Sequence, residues 1–226
     1  IAHYAVNGEA MFNGEKITNI SGIATLFPEI IQFVVRKDTG INMIEDLSGH
    51  KIAVGSKESG TFYNAQQILS TAGVWNNISH QYMNAAEAMQ ELHTGNIDGF
   101  IFTSGLPNPS IIELGKKVEI KLLPISSELT QKLINSYSFY YPSLVGMYQY
   151  PGQSEEFQAL EINAIVVSSE NLNENDQYLI TKHLFGKPNE LGKNHPRLSK
   201  MTKASLRHQL SVKLGSGAFK AHSEIK

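Results

Sequence analysis

Residues 54–65, Val54-Gly55-Ser56-Lys57-Glu58-Ser59-Gly60-Thr61-Phe62-Tyr63-Asn64-Ala65, join an apolar run to a helix through glycines and hydroxyls. Lys51 to Val54 alternate into a short strand, and Gly55 and Gly60 permit a tight turn. Asn64 to Leu69 then begin an amphipathic helix led by Ser59 and Thr61 as caps. The first amides of a helix have no partner inside it and sit at the positive end of its dipole. Such a junction therefore suits a carboxylate or phosphate without any cationic side chain. Gly55 and Gly60 stand as far apart as the two glycines of a nucleotide-binding P-loop, but that motif needs Lys directly after the second glycine, and here the residue is Thr61. The dinucleotide pattern G-x-G-x-x-G is absent as well. A plain strand–turn–helix connection with a good cap fits the same residues.

The chain of 226 residues is long enough for one or two domains with a substantial core. With 41% apolar and 18% charged residues its composition is that of an ordinary globular protein. The formal charge of −2, from 19 basic and 21 acidic residues, gives no electrostatic footprint for DNA, RNA or an anionic membrane, so nucleic acid is not an expected partner. There is no cysteine, which excludes thiol catalysis, disulfides and Cys-ligated zinc. No stretch approaches the roughly 20 apolar residues of a membrane span. The chain starts at Ile1-Ala2-His3-Tyr4, which reads as a processed or truncated product with something missing upstream.

Along the chain, residues 1–27 are polar and punctuated by glycine. Glu29 to Lys37 read as a mostly buried strand, Ile44 to Gly49 as a helical turn, and Lys51 to Val54 as the strand before the anion turn. A helix over 61–72 ends at Gly73, and one over Ala85–His93 ends at Gly95. A strand follows over Ile97–Thr103. Further elements are expected at 110–114 (helix), 120–125 (strand), 128–135 (helix), 160–167 (strand) and 174–184 (helix), with a tail helix at 198–210. The strand–helix–strand succession predicts an α/β fold with parallel pairing and helices on both faces. The aromatic, Pro-broken stretch Tyr137 to Gly152 is unlike the rest; its rings supply either a wall and phenolic donors for an anionic ligand or packing between domains.

Thr103-Ser104-Gly105-Leu106-Pro107 lies at the carboxyl end of a predicted strand, where open α/β sheets place their ligands. Two such strand ends, at Gly55–Thr61 and Thr103–Pro107, would offer hydroxyls and free amides to one crevice. The eight histidines are scattered, with no pair at i,i+3 or i,i+4 and no H-E-x-x-H, so no metal site is expected. Ser59 and Ser104 stand in no recognisable nucleophile signature, which disfavours a hydrolase. Gly215-Ser216-Gly217 reads as a loop. Arg36, ending a strand, either pairs a ligand carboxylate or stays at the surface.

Taken in order, Val35-Arg36-Lys37-Asp38-Thr39-Gly40-Ile41, Glu45-Asp46-Leu47-Ser48-Gly49-His50-Lys51-Ile52-Ala53-Val54-Gly55, Ser59-Gly60-Thr61, Gly95-Asn96-Ile97-Asp98-Gly99 and Tyr150-Pro151-Gly152-Gln153 resemble the TAXI family, the TRAP-associated extracytoplasmic immunogenic proteins. The resemblance runs from about Tyr4 to the Leu214-Gly215-Ser216-Gly217-Ala218 tail. It implies a periplasmic-binding-protein fold of the second type, with two lobes joined by crossing hinge strands, exported to the periplasm. It also implies a portion of roughly 80 residues upstream, with a signal peptide and the first strands of lobe one. On this reading lobe one comprises residues 1–37 and 160–226, and lobe two residues 38–159.

The family's role implies a non-enzymatic, monomeric receptor that encloses a small carboxylate such as glutamate or 2-oxoglutarate by hinge closure and delivers it to the membrane permease subunits of a TRAP transporter, with no metal or other cofactor. The ligand residues carried over are Tyr4, Ser59, Gly60, Thr61, Asn64, Thr103, Ser104, Gly105, Pro107 and Tyr140. The chain departs from the family at Val145-Gly146-Met147-Tyr148-Gln149, where the usual run is Ile-Pro-Ala-Gly-Thr, and in the tail, where it is Leu-His-Pro-Gly-Ala. Two other functions fit the scaffold: an enzyme acting on a metabolite in the cleft, which would need a general base or nucleophile beside the anion turn, and the ligand-sensing domain of a regulator.

Overall fold

The computed structural model describes residues 1–194, 197–198 and 210–224, and the chain divides into two compact units, residues 1–28 with 163–226 and residues 29–162. The predicted tail helix over 198–210 falls almost wholly outside the described residues.

The second unit is built around the upper part of β1 (Ile20–Arg36), where apolar residues point to both sides of the sheet. Ile31, Phe33 and Val35 join one buried cluster and Val34 the other, as the two-residue period of a strand requires. On the first side, α2 (Gly60–Thr71) and α5 (Ser127–Ser136) bring Ala65, Ile68, Leu69, Leu129 and Leu133 onto the sheet. On the second, α3 (Ala85–Thr94) and α4 (Pro109–Gly115) bring Ala88, Leu92, Ile111 and Leu114.

The strands are β2 (Lys51–Ala53), β3 (Ser79–Gln81), β4 (Gly99–Ser104), β5 (Ile120–Leu122), β6 (Tyr141–Val145) and β7 (Phe157–Ser169), in the order β3-β2-β4-β1-β7-β6 with β5 also on β1. The sheet is mixed rather than purely parallel. β2 pairs in parallel with β3 and β4, whereas β1 runs antiparallel to β4 and β5, and β6 antiparallel to β7. Periodicity reports which face of a strand is buried but carries no sign for its direction, so the antiparallel course of β1 was not readable from the pattern.

In the first unit, α1 (Ala2–Asn7), α6 (Glu174–Gly186), α7 (Pro188–Asn194) and α8 (Ser216–Glu224) accompany the lower part of β1 and the end of β7. Ile23, Ala24, Phe185 and Ala218 form its buried centre. Here Gly215-Ser216-Gly217 corrects the loop reading, because Ser216 and Gly217 open a helix. Both glycines serve close approach: a Cβ on Gly217 would collide with the carbonyl oxygen of Glu174, and one on Gly215 with the side-chain oxygen of Gln177.

Candidate functional site

The turn after β2 forms as its residue types require. Gly55 has φ 92° and sits so close to α2 that a Cβ would lie 3.0 Å from the Phe62 amide and 3.0 Å from Ser59 Oγ. Ser59 is the N-cap, its Oγ accepting the Phe62 N–H at 3.1 Å, and Gly60 and Thr61 are the first residues of α2. β4 lies beside β2 in parallel, with Ala53 opposite Phe100, so the end of β4 reaches the same level as the start of α2.

There the two expected segments meet. The Thr103 amide donates to Thr61 Oγ1 at 3.4 Å, and Asn64 Nδ2 donates to Thr103 Oγ1 at 3.0 Å. Tyr140 reaches them from the segment before β6: its hydroxyl lies 3.1 Å from Asn64 Oδ1 and 2.5 Å from Gln67 Oε1. Asn64 and Tyr140 are buried, while Ser59, Gly60, Thr61 and Thr103 keep partial exposure. The two threonine hydroxyls therefore share one polarity. Each accepts an N–H from the protein, and each keeps its single hydrogen to donate.

Ser104 is placed differently. Its Oγ is buried and accepts from Gln32 Nε2 at 2.9 Å and Asn108 Nδ2 at 3.2 Å, so it faces the interior. Gly105 is buried next to it, Pro107 is exposed and follows a cis peptide bond, and Asn108 caps α4. Tyr4 belongs to the first unit, buried on α1. Arg36 is engaged locally, its guanidinium gripping Asp38 through Nε–Oδ1 at 3.0 Å and Nη2–Oδ2 at 2.5 Å. That hydrogen-bonded pairing raises the guanidinium pKa and lowers that of the Asp38 carboxyl.

Sequence reading passed over Gln32, Gln67 and Asn108, and took Tyr150 only as one ring of the aromatic stretch. For Gln32 a signal existed: a lone amide between Ile31 and Phe33 in an otherwise apolar strand must find partners when buried. A depression of about 800 Å3 elsewhere on the second unit, bordered by Lys37, Asn42, Lys121, Pro151 and Phe157, includes none of the expected site residues. No group of three or more His, Asp or Glu among the described residues could hold a metal ion, and no helix among them is long and apolar enough to cross a membrane.

A model of the NMT1-like family matches residues 1–225. The chain belongs to the NMT1-like family. Among solved structures, this NMT1-like chain is similar to the periplasmic aliphatic sulphonate binding protein of Escherichia coli, with a TM-score of 0.51 at 16% identity over 91% of this chain and 59% of that one. An alkanesulfonate-binding protein from Xanthomonas axonopodis pv. citri bound to MOPS gives 0.43 at 15% identity, over 90% and 65% of the two chains. An ancestral arginine-binding protein bound to glutamine gives 0.44 at 16% identity, over 80% and 61%. The NMT1-like chain thus spans less than two thirds of the length of each of these structures. The likeness to the Escherichia coli protein establishes an α/β fold of the type II periplasmic-binding-protein class.

Proposed function

We propose that the protein is an extracytoplasmic solute receptor that captures a small organic anion, glutamate, 2-oxoglutarate or a related carboxylate, at the crevice between the start of α2 and the end of β4. The observation that carries this is the shared polarity of Thr61 and Thr103. Two hydroxyls on adjacent segments both accept from the protein and both retain a hydrogen to donate, beside the free amides and positive dipole end of α2. Such a site favours an acceptor, and its low charge lets the ligand leave again. The role is binding and release without turnover, in the periplasm, and the resemblance to TAXI receptors supports the permease of a TRAP transporter as the partner.

The test is a titration of glutamate, 2-oxoglutarate, other dicarboxylates and an alkanesulfonate, with the melting temperature as readout. Ligand at about 100 times its dissociation constant stabilises by about 2.7 kcal/mol, a shift of several degrees. Thr61→Ala and Thr103→Ala are each expected to weaken the best anion by about 1 kcal/mol, roughly fivefold. If no small anion raises the melting temperature and native mass spectrometry finds none carried through purification, the receptor reading fails. If an anion binds but neither substitution matters, the site lies elsewhere.

A further inference from the structure

We infer that Gln32 and Tyr150 are positioning residues that hold the loop after β4 in its ligand-ready form; the inference rests on the anion-site reading above. Behind that loop lies a closed polar hub. Gln32 is 1% exposed, Tyr150 3%, Ser104 5% and Asn108 9%. Gln32 Nε2 donates to Ser104 Oγ at 2.9 Å and to the Ser104 carbonyl at 3.4 Å, and Asn108 Nδ2 donates to the same Oγ at 3.2 Å. The Tyr150 hydroxyl donates to Gln32 Oε1 at 2.5 Å and accepts the Asn108 amide at 3.0 Å.

Each member fixes the orientation of the next. Tyr150 has one hydrogen, and giving it to Gln32 Oε1 forces the Gln32 amide to present its N–H to Ser104. Ser104 and Asn108 thus hang from two supports, a central strand and the Tyr-Pro-Gly segment more than forty residues downstream of Ser104. Thr103, whose hydroxyl accepts from Asn64 and keeps its hydrogen for the proposed anion, is the residue before Ser104. Losing either support leaves buried polar groups without partners, and the loop can recover them only by moving or admitting water. A ligand that needs Thr103 in one place then meets it in fewer molecules.

The substitutions are Tyr150→Phe, which keeps the ring among Val34, Phe100 and Ile120, and Gln32→Met, which keeps the length. Amide hydrogen exchange and the dissociation rate of the best anion are measured on both, with glutamate as the first probe. The expected result is exchange at Gly105, Leu106 and Asn108 at least tenfold faster, with exchange at Ala65 and Leu69 unchanged. Anion dissociation should be about tenfold faster, and the double variant should lose less than the product of the two single losses. A lower melting temperature with unchanged exchange in this loop and unchanged dissociation would make the hub structural only and overturn the inference. Should one variant not fold, the other carries both readouts. Failure of the anion-site reading is seen separately, as unchanged binding in Thr61→Ala and Thr103→Ala, while loop exchange still reports on the hub.

Discussion

Asn64→Asp is expected to lower the affinity for a small dicarboxylate about a hundredfold at neutral pH. The substitution is nearly isosteric, so α2 and its cap remain, but the N–H that Thr103 Oγ1 accepts at 3.0 Å is replaced by an oxygen. Thr103 would turn its one hydrogen to the new carboxylate and no longer to the ligand. A buried negative charge would also face the bound anion; two like charges about 6 Å apart at an effective dielectric of about 20 repel by about 2.8 kcal/mol. The pH dependence has a definite sign. Burial raises a carboxyl pKa, so the substituted residue becomes neutral as pH falls, and part of the lost affinity returns at acid pH. Isothermal titration at two pH values checks both parts. Affinity equal to that of the unaltered protein at neutral pH would remove Asn64 from the site.

The largest loss of stability is expected from Gly217→Ala, by about 3 kcal/mol. The backbone of Gly217 is ordinary helix, so alanine suits it locally, and a survey of helix propensity alone would rate the change favourable. Packing decides otherwise. The new methyl would strike the Glu174 carbonyl oxygen and lie 2.8 Å from the Tyr178 amide nitrogen, both on the backbone of α6, where no rotamer change can give way. α8 would have to lift from α6, loosening Phe185, Ala218 and Ala221. Gly215→Ala is the internal comparison: its methyl meets the end of the Gln177 side chain, which can swing, so its cost is smaller. Urea unfolding curves of the two variants settle the order. Equal midpoints, or a midpoint for Gly217→Ala within error of the unaltered protein, would contradict the packing argument.

Much of the second unit was legible because its local chemistry agrees with its tertiary role. Gly55, Ser59 and Gly73 bound α2 as glycine turns and hydroxyl caps should, and Gly95 ends α3 with φ 79°. What escaped was set by partners distant in sequence. β3 is Ser79-His80-Gln81, three polar residues whose extended form comes from pairing with β2. β6 includes Pro142 at the sheet edge, where a missing N–H is tolerated, and so its aromatic stretch gave no strand pattern. β1 begins at Ile20, nine residues before the predicted start, because Ser21, Gly22 and Thr25 disguise a buried segment. At the site, the meeting of Thr61 with Thr103 followed from where strands end in α/β sheets, but the inward turn of Ser104 did not. That depends on Gln32, 72 residues away in sequence.

The two-sided burial of β1 leaves its upper half without freedom of length. Between Ile30 and Arg36, odd-numbered residues feed one interior and Val34 the other, with neighbours hydrogen-bonded on both edges. One inserted or deleted residue would exchange the two sets of side chains wholesale, delivering Phe33 to the α3 and α4 side and Val34 to the α2 and α5 side. Descendants of this chain can therefore vary in length at exposed turns such as Gly146–Tyr148, while this strand can evolve only by substitution.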